Sequence, residues 1–243
     1  MEVARGIHKF DTGPFNWYLV EDAGRLTLVD AGFPGHYRAF RDGLAAIGRT
    51  VADVAAVVLT HAHADHMGIA DRVGREANAP VYIHKNDAAA AGRILQLPWY
   101  GLLSRAWRPY TARMLTHATW NGVFGTPRVR NPVPMDDGQT LDVPGRPQVI
   151  HTPGHTPGEV SLLFADRGVL ISGDTLVTRD LYSGATGHPQ VTHPLLSHDY
   201  AEAFRSLDRL AGLGRLRMLP GHGTPWDGDL RDGVALAEGL RRK

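Results

Sequence analysis

Short apolar runs, rich in Val, Ile and Leu and closed by Gly, Pro, Asp or Asn, recur along the chain. NWYLVED (16–22), RLTLVDAG (25–32), VAAVVLTH (54–61), APVYIH (79–84), QVIHTPG (148–154), EVSLLFAD (159–166) and GVLISGD (168–174) read as strands. A helical period runs through GHYRAFRDGLAAIG (35–48), MGIADRVGREAN (67–78), SHDYAEAFRSLDRLAGL (197–213) and LRDGVALAEGLRR (230–242). In the third, Tyr200, Phe204, Leu207 and Leu210 share one face, and Ser197 is placed to cap the N-terminus. Strands, then strand–helix alternation, then the same theme again predict an α/β protein with two sheets face to face and helices outside. Residues 93–122 break the pattern: they are rich in aromatics, Leu and Arg, carry Pro98 and Pro109, and read as two short helices or an ordered insertion. The Pro- and Gly-rich stretch 126–147 reads as loops and edge strands.

Composition narrows the classes. A length of 243 residues suits one large domain, or one domain with an insertion. With 43% hydrophobic and 21% charged residues the chain is of ordinary soluble type. A net charge of +1 gives no basic excess, so no nucleic-acid partner is expected. No run approaches the roughly 18 apolar residues of a membrane helix. MEVARGIHKFDTG lacks the basic-then-apolar order of a signal peptide, which leaves no membrane partner and a cytoplasmic location as the expectation. The absence of Cys excludes disulfides, thiolate ligands and a Cys nucleophile.

The 13 His residues matter by placement. LTHAHADHMG (59–68) sets His61, His63, Asp65 and His66 at a strand-to-helix turn, with Ala62 and Ala64 leaving room between them. Neutral imidazole is the commonest metal ligand, and carboxylate is the next natural donor. His155 lies in the rigid turn of HTPGHTPG, Asp174 directly follows LISG, and His222 sits between Gly221 and Gly223 in RLRMLPGHGTP. Each alone is an ordinary loop residue. Together they repeat one pattern of apolar strand, Gly/Pro turn and donor. Five His and two Asp exceed the three or four protein ligands of one ion. They suit two cations about 3.5–4 Å apart that share a bridging carboxylate.

THAHADH, TPGHTPG, SGD and PGHG, in that order, resemble the metallo-β-lactamase superfold, a family of αββα metallohydrolases, over essentially the whole chain. The resemblance implies an αββα four-layer sandwich, one domain over 1–243 with a helical insertion at about 93–122. Carried over by motif, His61, His63 and His155 would hold the first metal, Asp65, His66 and His222 the second, and Asp174 would bridge them. Asp30 in LVDAG matches a family position behind the ligands. The β-lactamase branches that place a Cys near the position of Asp174 are excluded. The bridging Asp instead resembles glyoxalase II-like thioesterases, lactonases and phosphodiesterases, and the short tail after His222 is not expected to form the long C-terminal helical domain typical of glyoxalase II.

The expected activity is hydrolysis of a small-molecule ester, lactone or thioester by a metal-bound hydroxide at a dinuclear site. Asp65 would orient that hydroxide and shuttle its proton. Zn2+ is the expected metal, with iron and manganese suited to the same donors. The alternatives are a phosphodiesterase, a mononuclear iron oxidoreductase similar to persulfide dioxygenases, and a non-catalytic binding protein. Trp99, Tyr100, Leu103, Trp107, Tyr110 and Met114 are expected to wall an apolar pocket, and Arg105, Arg108 and Arg113 to attract an anionic group. The same flap could instead serve a homodimer contact. In lactonase-like relatives a Tyr in the region of 181–200 holds the substrate carbonyl, and Tyr182 is matched to it.

Overall fold

A computed structural model of the protein describes residues 1–92 and 106–241. Its layering follows from which way alternate side chains point. In the strand Phe15–Asp22, Trp17 and Leu19 face one side and Tyr18 and Val20 the other, and all four are fully buried. A sheet buried on both faces needs a partner layer on each.

The first sheet runs in chain order: β1 (Glu2–Ala4), β2 (Ile7–Thr12), β3 (Phe15–Asp22), β4 (Arg25–Val29), β5 (Val54–Val58), β6 (Val81–His84) and β7 (Val133–Met135). It is antiparallel up to β4 and parallel from β4 to β7. The chain continues through β8 (Gln148–His151), β9 (Val160–Phe164), β10 (Val169–Gly173), the hairpin β11 (Val177–Arg179) and β12 (Thr186–Gln190), then β13 (Arg215–Pro220) and β14 (Trp226–Asp229). The second sheet has the order β14-β13-β10-β9-β8, with β10 and β13 parallel. The helices are α1 (Tyr37–Ala46), α2 (Ala64–Met67), α3 (Ala70–Ala77), α4 (Lys85–Ala91), α5 (Pro109–Trp120), α6 (Tyr200–Ser206), α7 (Asp208–Ala211) and α8 (Leu230–Arg241).

Three apolar seams join four layers. Trp17, Leu19 and Leu28 meet Phe40 and Leu44 of α1 and Val73 of α3. Tyr18, Val20 and Val58 meet Val160, Leu162 and Ile171 between the sheets. Leu170 and Met218 meet Phe204, Leu207, Leu210 and Val234 of the C-terminal helices. This is the αββα order expected from the sequence. Among the described residues no helix is long and apolar enough to cross a membrane.

The local expectations needed correction at two places. Ser197 does not cap the helix after it; its hydroxyl donates to the carbonyls of Thr192 (3.2 Å) and His193 (3.3 Å). Asp199 is the cap and accepts from the Glu202 N–H at 2.9 Å. The single helix expected over 197–213 is also divided at Leu207. Pro109 opens α5 in its first turn, where a missing N–H costs nothing. The other expected part of the 93–122 region, with Trp99, Tyr100, Leu103 and Arg105, lies outside the described residues.

Candidate metal centre

Every sequence-predicted donor sits where a strand ends at the same rim of the two sheets. His61 follows β5, His63 is the N-cap of α2, and Asp65 and His66 occupy its first turn. His155 lies in the turn after β8, Asp174 follows β10 and His222 follows β13. Two glycines let these ends converge. A Cβ on Gly173 (φ +53°) would lie 2.4 Å from Glu159 Oε1, and one on Gly221 would lie 2.3 Å from Asp174 Oδ1.

The structure brings all seven side chains together. His61 Nε2 is 3.1 Å from His63 Nδ1, which is 2.9 Å from His155 Nε2. Metal–nitrogen bonds of about 2.0–2.1 Å in a tetrahedral site would set such nitrogens roughly 3.3 Å apart. Asp65 Oδ2 is 3.4 Å from both His66 Nε2 and His222 Nε2. Asp174 lies between the two triads: Oδ2 is 2.9 Å from His222 Nε2 and 3.4 Å from His155 Nε2, and Oδ1 is 3.7 Å from His66 Nε2. Each of three overlapping groups, His61–His63–His155, His61–His66–Asp174 and Asp65–His66–His222, could hold a metal ion.

The hydrogen bonds behind the rings show that the donors fit cations. Thr60 Oγ1 lies 3.1 and 3.0 Å from the two Asp30 carboxylate oxygens and donates its proton there. It therefore accepts from His61 Nδ1 at 3.0 Å. His66 Nδ1 donates to Asp30 Oδ2 at 2.9 Å, and His222 Nδ1 to the Pro14 carbonyl at 2.9 Å. Each of these rings spends its Nδ1 proton outward and, when neutral, presents a bare Nε2 lone pair to the centre. His66 Nε2 and Asp174 Oδ1 are buried without a hydrogen-bond partner. Orphaned atoms of that kind are costly unless something meets them. Asp30, buried in a left-handed conformation (φ +57°), thus orients His66 directly and His61 through Thr60.

Electrostatics divide the set. Burial pushes His61 well below the usual imidazole range and His155 down to about 3, in each case helped by neighbouring imidazoles. Burial also opposes charge on His66, but the carboxylates of Asp30, Asp65 and Asp174 outweigh it and hold that ring well above its ordinary value. His222 is raised in the same way, burial being overcome by Asp174 and Asp65. Burial works against the Asp65 carboxylate too, yet His66 and His222 bring it down to about 2.

Two buried acids went unread in the sequence. Glu159 accepts the Asp174 N–H on Oε1 at 2.9 Å and places Oε2 3.2 Å from His61 Nδ1; burial, then the charge of Asp174, raises it well above the carboxylate range. Asp87 joins the 61–66 loop to the 152–158 turn through hydrogen bonds from Ala62, Thr156 and Gly158. The one sequence signal for Glu159 was a carboxylate set directly before an apolar run.

A cavity opens over the donors, walled by Phe15, Phe33 and the α5 face carrying Met114 and Ala118. Of the expected pocket residues, Met114 lies here. Trp107 does not: it precedes α5 and is 75% exposed, with Arg108 at 5.6 Å from its ring. Tyr110 and Arg113 line a neighbouring groove with Arg179 and Trp120. Tyr182 is buried in the wall, stacked on His193 at 3.9 Å, and is not part of the lining.

The layered fold and the buried His/Asp cluster define a metal-binding αββα protein of the metallo-hydrolase type. The family model of the Metallo-beta-lactamase superfamily matches residues 11–222, and the chain belongs to that superfamily, whose members bind divalent metals. It is 27% identical over 252 aligned positions to the probable metallo-hydrolase YflN of Bacillus subtilis (strain 168), covering 93% of this chain and 87% of YflN. It is 31% identical over 170 positions to YobT of the same organism, covering 68% of this chain and 64% of YobT, so the match spans less than two thirds of that relative. Among solved structures, TTHA1623, determined in a di-iron-bound form, superposes with a TM-score of 0.60 at 29% identity, covering 88% of this chain and 89% of that one.

Proposed function

We propose that this protein is a dinuclear metal-dependent hydrolase of a small-molecule ester, lactone or thioester. The observation that carries this reading is Asp174, set between an all-His triad and a mixed His/Asp triad. That placement supports two cations sharing one carboxylate. His61, His63 and His155 would hold one, and Asp65, His66 and His222 the other, with Zn2+ first and iron or manganese suited to the same donors. The naming of YflN as a probable metallo-hydrolase and the two irons of TTHA1623 support the reading.

Bound cations would supply Lewis acidity and lower the pKa of water towards neutrality. The chain's own part is positioning and proton transfer. Asp65 lines the cavity beside the other donors, which places its carboxylate to take a proton from the nucleophile and pass it to the leaving group. Asp30 and Thr60 hold the tautomers of His66 and His61. The apolar cavity wall would surround the reacting carbonyl with non-polar side chains. No direct hold on that carbonyl is assigned to Tyr182.

The test is turnover of an ester, lactone, thioester and phosphodiester panel by protein of measured metal content. Carbonyl-ester hydrolysis with two metal equivalents per chain is expected. Turnover of phosphodiesters alone, or one iron with dioxygen consumption, would overturn it.

A further inference from the structure

The cavity over the donors is walled by Phe15, Phe33, Met114, Ala118, Val123 and Leu196, and outside the seven donors no charged side chain lines it among the described residues. Two of these wall rings run down to the donors: Phe33 meets Phe15 edge-on at 4.8 Å, and Phe15 meets His222 edge-on at 5.5 Å. The α5 wall is built by its 3.6-residue period, which puts Met114 and Ala118 one turn apart on the buried face. Ala118 is the smallest side chain of that wall, and the space beside it is what a bulkier residue would fill. Of the arginines that the sequence offered for an anionic group, Arg113 lines the neighbouring groove and Arg108 lies by the exposed Trp107, while Arg105 falls outside the described residues.

We infer that this cavity selects substrates with an uncharged, apolar acyl group, and that Ala118 and Met114 set how much of that group is accepted. The inference rests on the hydrolase reading for its activity assay only, because binding to the cavity can be read without turnover. Away from the donors, a charged acyl tail would lose its hydration against Phe and Leu side chains, with no counter-charge among the described lining residues to meet it. Each methylene that enters such a wall is worth about a fourfold gain in binding or kcat/KM.

The experiment uses metal-loaded protein and p-nitrophenyl esters from acetyl to octanoyl, with the hemisuccinyl ester as the charged comparison. Binding of octanamide, which is neutral and resists hydrolysis, is measured by calorimetry on the same protein. A rise in kcat/KM with chain length, butanoyl well above hemisuccinyl, and measurable octanamide binding are expected. Ala118→Leu should lower the octanoyl-to-acetyl ratio of kcat/KM, and octanamide affinity, at least tenfold. Met114→Ala should shift the preferred length upward, and it reads the same wall should Ala118→Leu fail to fold. Octanamide binding weakened by Ala118→Leu, with no member of the ester, lactone and thioester panel turned over, would uphold this cavity while ending the hydrolase proposal. A flat chain-length profile, hemisuccinyl equal to butanoyl, or octanamide binding indifferent to Ala118→Leu would overturn the inference and leave hydrolysis standing.

Discussion

Replacing Asp87 by Ala should destabilise the protein more than any single loss of surface charge, although Asp87 is not among the seven donors. Asp87 is 1% exposed. Its Oδ2 accepts from the Ala62 N–H at 3.0 Å and the Thr156 hydroxyl at 2.7 Å, and its Oδ1 from the Gly158 N–H at 2.7 Å. Truncation leaves two peptide N–H groups and a hydroxyl without their acceptor. Hydrogen bonds to a charged group are worth about 1.5–3 kcal/mol each. Entry of water and coupling among the three reduce a simple sum, so about 3–5 kcal/mol is expected, a large part of the roughly 5–15 kcal/mol that holds a typical domain. Asp87→Asn keeps the shape and one acceptor oxygen but turns an NH2 towards an N–H, and should cost about half as much. Urea titration of metal-free protein reads both variants, with the midpoint falling at constant slope. Because Asp87 braces the loops of His61, His63 and His155, metal affinity should also fall by about 10–100-fold, read by chelator competition. A metal-free Asp87→Ala protein within about 1 kcal/mol of wild type, or an Asn variant weaker than the Ala variant, would refute the reasoning.

Stripping the metals should lower the melting temperature by about 5–10 °C, since a cation that binds only the folded state adds about 2.7 kcal/mol at a hundredfold excess over Kd; unchanged melting after verified removal contradicts the site. Asp30→Asn disturbs the acceptor behind both His66 and Thr60, and metal affinity should fall by about 10–100-fold with little change in the far-UV spectrum; unaltered chelator competition would count against it. Burial, reinforced by the facing ring of His117, lowers His36 to about 4, and its Nδ1 is committed to the Phe33 N–H at 3.1 Å. The unfolded chain takes up that proton near pH 6.5, so stability is complete above 6.5 and is lost as pH falls towards 4, by about 1–2 kcal/mol at pH 5. Urea midpoints at pH 7.5 and 5 should differ less in His36→Phe than in wild type, and an equal difference would show that His36 does not carry it.

What could be read along the chain was whatever a short segment determines by itself. The donors were legible because a metal needs bare side chains at tight turns, and HAHADH packs four of them into one strand-to-helix junction. Strand β5 and the VLI run of β10 were legible because burial on both faces makes them continuously apolar. The edge elements were not: TGHPQ of β12 and WDGD of β14 carry Gly, Pro and Asp, and pairing rather than pattern makes them strands. Asp87 reads as an ordinary acid near a helix start, because its partners lie 25, 69 and 71 residues away. Trp107 was misplaced because aromatic content marks a segment as apolar without saying which side of the chain faces inward, and just before Pro109 that side faces solvent.

The two triads divide the labour between the sheets. His61 and His63 follow a strand of the first sheet and His155 one of the second; Asp65 and His66 come from the first and His222 from the second. Neither half of the fold therefore owns a complete set, and a cation held by either triad would tie the two sheets together at their rim. The protein already registers that rim without a metal. Asn16 Nδ2 donates to the carbonyls of Pro220 (2.8 Å) and Gly223 (2.7 Å), and the Tyr18 hydroxyl to Pro220 (2.6 Å), so β3 of the first sheet holds the His222 loop of the second in place. Tyr18 sits in the same apolar seam that joins the sheets, which means that packing between the sheets sets the spacing of the donors. Loss of the cations should consequently loosen the sheet-to-sheet contact as a whole rather than a single loop, because the buried His and Asp side chains left at the rim act across that one interface.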